Sequence, residues 1–154
     1  MNLSISGDFL VIEPAGIDFQ DVTLSSLNIS ILFDCCTEVY NEDVTLPTFA
    51  ESMAVSYTVN EEDGKFIDGV YQVIINAEYE DGSKKKETGC IFADTSLKCS
   101  IAEVLASDPS NVLGPLYVIL KNSDNCDCNC GALCEIMKRV RALLGQEAAS
   151  CSNC

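Results

Sequence analysis

The chain has 154 residues and a formal net charge of −15, with 24 acids against nine bases, ten cysteines, and no histidine or tryptophan. That length allows one ordinary domain with an appendage, and the charge repels phosphate, which excludes nucleic acid from the expected partners. The lack of histidine removes Ser-His-Asp and Cys-His nucleophilic machinery and every histidine-containing metal site.

From residue 3 to about residue 93 the hydrophobic pattern has period two, in short runs separated by turn residues. Asn2 to Ser6, Phe9 to Ile12 and Asp21 to Leu24 are the weaker strand candidates. Leu27, Ile29, Ile31 and Phe33 alternate with Asn28, Ser30 and Leu32, and Met53, Val55, Tyr57 and Val59 form a further alternating set. Glu42-Asp43 is read as a loop and Glu61-Glu62-Asp63-Gly64 as a hairpin turn. Neither offers a partner that would split two carboxyl pKa values for acid/base work, so no catalytic residue is assigned. Tyr71, Val73, Ile75, Ala77 and Tyr79 give the clearest strand; Asp81-Gly82 supplies a tight turn, and the return runs from about Lys84 to Phe92. About seven short strands predict an antiparallel β-sandwich over residues 1–93. Asp68-Gly69-Val70-Tyr71 resembles the tyrosine corner of immunoglobulin-like folds, which makes the sandwich immunoglobulin-like.

After Phe92 the period changes to that of a helix, so the fold is expected to be mainly β with a small helical region at residues 94–145. Leu97, Ile101, Val104 and Leu105 mark a first helix and Leu113, Leu116, Tyr117 and Leu120 a second. Leu133, Ile136, Met137, Val140, Leu143 and Leu144 form the cleanest amphipathic stripe, which stops at Gly145. The last two helices are expected to pair as a hairpin, with a flexible, cysteine-containing tail at residues 146–154.

Charge is unevenly placed. Lys65 is the first base, so the first 64 residues carry a formal −12, while bases cluster at Lys84-Lys85-Lys86 and at Lys138-Arg139-Val140-Arg141. The plain reading is a lysine-tipped hairpin and a solvated helix face. The sharper one makes Lys84, Lys85, Lys86, Lys138, Arg139 and Arg141 an assembly interface that meets the acidic half of a neighbouring copy.

No uninterrupted apolar run approaches the ~18 to 20 residues of a membrane-spanning helix. Residues 1–8 lack the pattern of a signal peptide. Synthesis in a cytoplasm, with no membrane partner, is the expectation.

Six of the ten cysteines lie in the last 29 residues. Cys126, Cys128, Cys130, Cys134, Cys151 and Cys154 are the candidate ligands of an all-sulfur, closed, structural zinc site. Free or disulfide-forming thiols are the favoured alternative, because the run lacks the paired CxxC knuckles of a zinc ribbon. Cys151-Ser152-Asn153-Cys154 also has the CxxC spacing of redox enzymes, but a redox motif needs a helix N-terminus to lower its thiol pKa. Cys35, Cys36, Cys90 and Cys99 read as small hydrophobes of the core.

The strand opening Asp68-Gly69-Val70-Tyr71, the return ending Gly89-Cys90-Ile91-Phe92-Ala93-Asp94, then Leu97-Lys98-Cys99-Ser100-Ile101 and a cysteine-bearing helical hairpin together resemble small virion proteins of crAss-like bacteriophages, which infect gut Bacteroidota. The resemblance covers roughly residues 65–154. It implies a non-enzymatic, multi-copy structural subunit of the tail, neck or ring of a short-tailed phage. Such a subunit would form a homo-oligomer, touch other virion proteins of the portal, neck or tail, and be assembled in the bacterial host cytoplasm. It carries over no catalytic residue and no cofactor. A small cysteine-rich zinc-binding or regulatory module is the alternative.

Overall fold

The computed structural model describes residues 1–7, 9–56 and 69–93, together with residues 137, 138, 141, 142 and 145. Among these, seven strands follow in chain order: β1 Asn2–Ser6, β2 Phe9–Glu13, β3 Leu24–Phe33, β4 Thr37–Asp43, β5 Met53–Ser56, β6 Val70–Tyr79 and β7 Lys84–Phe92. They form two antiparallel sheets, one of three strands in the order β1-β2-β5 and one of four in the order β4-β3-β6-β7. The expected helices built on Leu97 and Leu113, and the expected tail, lie outside the described residues. Met137, Lys138, Arg141 and Ala142 have helical backbone. Gly145 has φ +70° and donates its N–H to the Ala142 carbonyl at 3.2 Å.

Period two places Leu10, Ile12 and Val55 on the inner face of the smaller sheet. It places Leu27, Ile29, Ile31, Phe33, Tyr71, Val73, Ile75 and Ala77 on the inner face of the larger one. All are buried in one shared cluster, with Ile17 and Phe19 inserted from the connection between β2 and β3. Each of the larger side chains contributes roughly 1.5 to 3 kcal/mol of burial free energy, which explains why the registers Leu10↔Val55 and Ile29↔Ile75 are fixed: a one-residue slip would turn these faces outward.

Two sequence expectations change. Residues 21–23 are a turn rather than a strand, because the Asp21 carboxylate accepts from Thr23 N at 2.9 Å and Thr23 Oγ1 at 2.7 Å, and Leu24 N–H returns to the Asp21 carbonyl at 3.1 Å. Glu42-Asp43 is the end of β4 rather than a loop. Asp43 stays in the ladder opposite Asn28, whose Nδ2 donates to its carboxylate at 3.0 Å.

The sheet ends are set by turns of different kinds. At one end, Asp34 and Cys35 both have positive φ (49° and 59°), and Cys36 N–H donates to the Phe33 carbonyl at 3.0 Å. This is the primed geometry that suits a right-twisted hairpin, here adopted without glycine. At the other end Gly82, at φ +80°, closes the β6–β7 hairpin with Asp81 Oδ1 accepting from Ser83 N at 2.8 Å. β1 lies against β7: a Cβ on Gly89 would come within 3.0 Å of Met1 Sδ and 3.2 Å of Leu3 Cδ1.

Candidate functional site

Two places stand out from the sequence, the lysine-rich hairpin and the segment ending in Arg141, and they lie at opposite ends of the larger sheet. Lys84, Lys85 and Lys86 open β7 and are all exposed. Lys84 pairs with Glu78 across the hairpin at 3.1 Å. Lys85 reaches the Gly16 carbonyl at 3.2 Å and sits 5.5 Å from the Tyr79 ring centroid; the nearby Asp21 carboxyl is held low chiefly by its hydrogen bonds from Thr23, with the Lys85 charge a small addition. Lys86 makes no hydrogen bond or ion pair among the described residues. Two open clefts flank these side chains. One, of about 490 Å³, runs between Thr23 and the hairpin residues Tyr79, Glu80, Asp81, Ser83 and Lys85; the other, of about 230 Å³, lies on the outer sheet face over Asn28, Asn76, Glu78 and the three lysines.

Glu87, next along β7, gathers the nearby backbone. Its carboxylate accepts from Ala15 N at 2.7 Å and Gly16 N at 3.1 Å, and lies 2.8 Å from the Met1 ammonium. Burial pushes this carboxyl up, but the hydrogen bonds from the ammonium, Ala15 and Gly16 outweigh it and hold it below the ordinary value. On the opposite edge of the sheet, Tyr40 donates to Glu42 at 3.1 Å; burial, then that carboxylate, raises the phenol above its ordinary value.

Arg141, expected on a solvated face turned toward a neighbour, is buried, and its charge is taken up inside the chain. Its Nε donates to Oδ2 of Asp34, which is wholly buried. Asp34 Oδ1 accepts from Val70 N at 3.0 Å, and Asp34 N–H donates to the Val70 carbonyl at 2.6 Å. The guanidinium carbon stands 5.3 Å from the Phe33 ring centroid, and that ring stands 5.2 Å from Tyr71. Gly69 is required here, since a Cβ would overlap the Phe33 ring and approach Arg141 Nη2 to 3.0 Å. Met137, one helical turn before Arg141, is 1% exposed. Arg141 was legible as a cation, but Asp34, 107 residues away, carried no sign in the sequence that it would be its partner. Lys138 is half-buried; Arg139 lies outside the described residues.

Of the cysteines, Cys35 is fully buried and is not in a disulfide, in keeping with a core thiol. Cys36 is buried in the core as expected and Cys90 is half-buried, but both are disulfide-bonded rather than plain packing thiols. Cys99 and the zinc candidates Cys126, Cys128, Cys130, Cys134, Cys151 and Cys154 lie outside the described residues, and no group of three or more metal-ligating side chains occurs among the described ones. No known protein family matches the chain, and neither curated proteins nor solved structures give a match.

Proposed function

We propose that the chain is a non-enzymatic structural subunit that packs side by side with copies of itself, built as an immunoglobulin-like sandwich with a small helical C-terminal region. The resemblance noted in the sequence gives it a setting, the tail, neck or ring of a phage virion, beside portal, neck or tail proteins.

The observation that carries this reading is the charge on the two edge strands of the larger sheet. β4 presents Glu38, Glu42 and Asp43, all exposed, and β7 presents Lys84, Lys85 and Lys86, also exposed. Charged edges normally block strand pairing between molecules. Here like edges repel and unlike edges attract, so the favoured contact sets β7 of one copy beside β4 of the next. Such a contact is head-to-tail, and repetition closes a ring if the rotation allows. It also relieves part of the repulsion that a formal −15 per subunit builds up as copies accumulate.

The test replaces Lys84, Lys85 and Lys86 by glutamate and follows particle size by light scattering and electron microscopy, with a melting curve to show that the variant is folded. The expected result is assembly of the wild type that weakens with salt and is lost in the variant. Equal assembly of both at low salt would overturn the edge contact, and a wild type that stays monomeric with every candidate virion partner would overturn the subunit reading.

A further inference from the structure

We infer that β7 of one copy joins β4 of the next through main-chain hydrogen bonds, in one register that sets Lys84 opposite Asp43 and Lys85 opposite Glu42, so that the larger sheets of neighbouring copies run on as one. The inference rests on the side-by-side packing proposed above and adds how the two edges meet. Among the described residues β4 and β7 are the edges of the larger sheet. β3 runs antiparallel to β4 and to β6, and β6 runs antiparallel to β7. β4 and β7 therefore point in opposite directions. A copy shifted sideways in the plane of the sheet brings its β4 antiparallel to β7 without turning either face over.

The phase of the backbone limits the register. Tyr79 N–H donates to the Ser83 carbonyl at 2.9 Å, so by alternation along the β6–β7 ladder Lys84, Lys86 and Thr88 turn their N–H and C=O groups away from β6. Val44 N–H donates to the Leu27 carbonyl at 2.7 Å, which in the same way leaves Asp43 and Asn41 turned away from β3. Hydrogen-bonded pairs across the contact must match these two sets. The faces agree, because Lys86 lies opposite Asn76, Asn76 opposite Asn28 and Asn28 opposite Asp43, one row across the outer face. A one-residue slip would mismatch both the hydrogen bonds and the faces.

Charge selects among the registers that remain. With Lys86 opposite Asp43, Glu87 would face Glu42, and like charges directly opposite destabilise a ladder. Two residues along, Lys84 faces Asp43, Lys85 faces Glu42 and Lys86 faces Asn41, which gives two pairs of opposite charge and none of like charge. All six of these side chains are exposed. Lys84, 3.1 Å from Glu78 in its own chain, then stands between two carboxylates. The next offset in either direction sets no lysine opposite an acid. The irregularity in β4 falls beyond Tyr40, so the stretch from Asn41 to Asp43 is regular and can pair. Relative to the row through Asp43 and Lys86, each copy is displaced along the strands by two residues, about 7 Å.

The test uses the full chain at low salt, with light scattering and electron microscopy to follow assembly and a melting curve for each variant. Glu42→Lys should raise the concentration needed for assembly at least about threefold, because it sets two cations opposite each other, and Lys85→Glu added to the same chain should restore the wild-type value. Lys85→Glu combined with Asp43→Lys has the same net charge as that rescued chain, but makes both contacts like-charged and should not assemble at the wild-type concentration. Easier assembly of Glu42→Lys overturns the register in favour of Lys86 opposite Asp43, where position 42 meets Glu87. A second measurement reads the geometry directly. Positions 42 and 85 form a non-hydrogen-bonded pair in the inferred register, with Cα atoms about 4.5 Å apart, within reach of a disulfide. Mild oxidation of a Glu42→Cys, Lys85→Cys chain should therefore link copies through these two positions, read by mass spectrometry on mixed light and heavy nitrogen-labelled chains, whereas a Glu42→Cys, Glu87→Cys chain should not link through 42 and 87. The reverse pattern overturns the register. Wild-type assembly that none of the charge changes alters overturns the contact between these edges while leaving a multi-copy subunit, and a wild type that stays monomeric overturns the side-by-side packing and this inference together.

Discussion

Asp34 has its amide and both carboxylate oxygens engaged: the amide and one oxygen on Val70, and the other oxygen on Arg141. Arg141→Met would leave that carboxylate buried and uncompensated, and such a loss costs about 3 to 5 kcal/mol. Denaturant melts should show that loss, and Asp34→Asn in the same chain should recover part of it, since the charge goes while the acceptor for Val70 remains. Gly69→Ala should destabilise by about 1 to 3 kcal/mol, because its Cβ would meet the Phe33 ring, which Tyr71 and Arg141 hold in place. Phe33→Leu should absorb much of that cost. Glu87 makes stability depend on pH. Its folded-state carboxyl is lower than in the unfolded chain, so its contribution is complete above the unfolded value and lost as pH falls through the folded one. Glu87→Gln should remove that part of the acid limb in a series of melts between neutral and acid pH. At this scale the sequence was informative about residue type and silent about partners. The Lys138-Arg139-Val140-Arg141 run marks a basic helix face, but nothing in it marks which cation turns inward, because that depends on a carboxylate brought near by the fold.

Among the elements, legibility followed burial. β3 and β6 are central strands whose alternating apolar residues line the core, and they appear where the pattern put them, give or take the ends. β4 was missed because it lies on an edge. Its residues Glu38, Asn41, Glu42 and Asp43 face water, so only pairing with β3 makes it a strand, and edge positions lack the hydrophobic signal that sequence patterns report. The β6–β7 turn was legible from Asp81-Gly82, since few residues other than glycine accept φ +80°. Gly82→Ala should therefore cost about 1 kcal/mol in thermal melts through backbone strain alone, because the space a Cβ would occupy is open, with nothing within 4 Å. The β3–β4 turn was not legible. Asp34-Cys35 takes two left-handed residues where Asn-Gly is usual, and the bonds from Asp34 to Val70 hold it there against the strain.

At the scale of the whole molecule, two antiparallel sheets enclose one core, with acids along one outer edge and lysines along the other. The period-two signal over residues 1–93 conveyed the β class, whereas the pairing of cysteines is not encoded in their spacing. The distance along the chain between Asp34 and Arg141 has a consequence for biosynthesis. On a ribosome adding roughly 5 to 20 residues per second, the 107 positions from Asp34 to Arg141 take on the order of 5 to 20 s to appear. From the completion of β7 until Arg141 emerges, the nascent sheet has a carboxylate without its Arg141 partner, so its Asp34 end stays wet and open while the mid-sheet core can already close. Chains stalled just before residue 141 should be cut by protease near the β3–β4 turn, and chains stalled far enough past it for Arg141 to clear the exit tunnel should resist. The arginine thus acts as a late signal that the chain has been made far enough to finish folding.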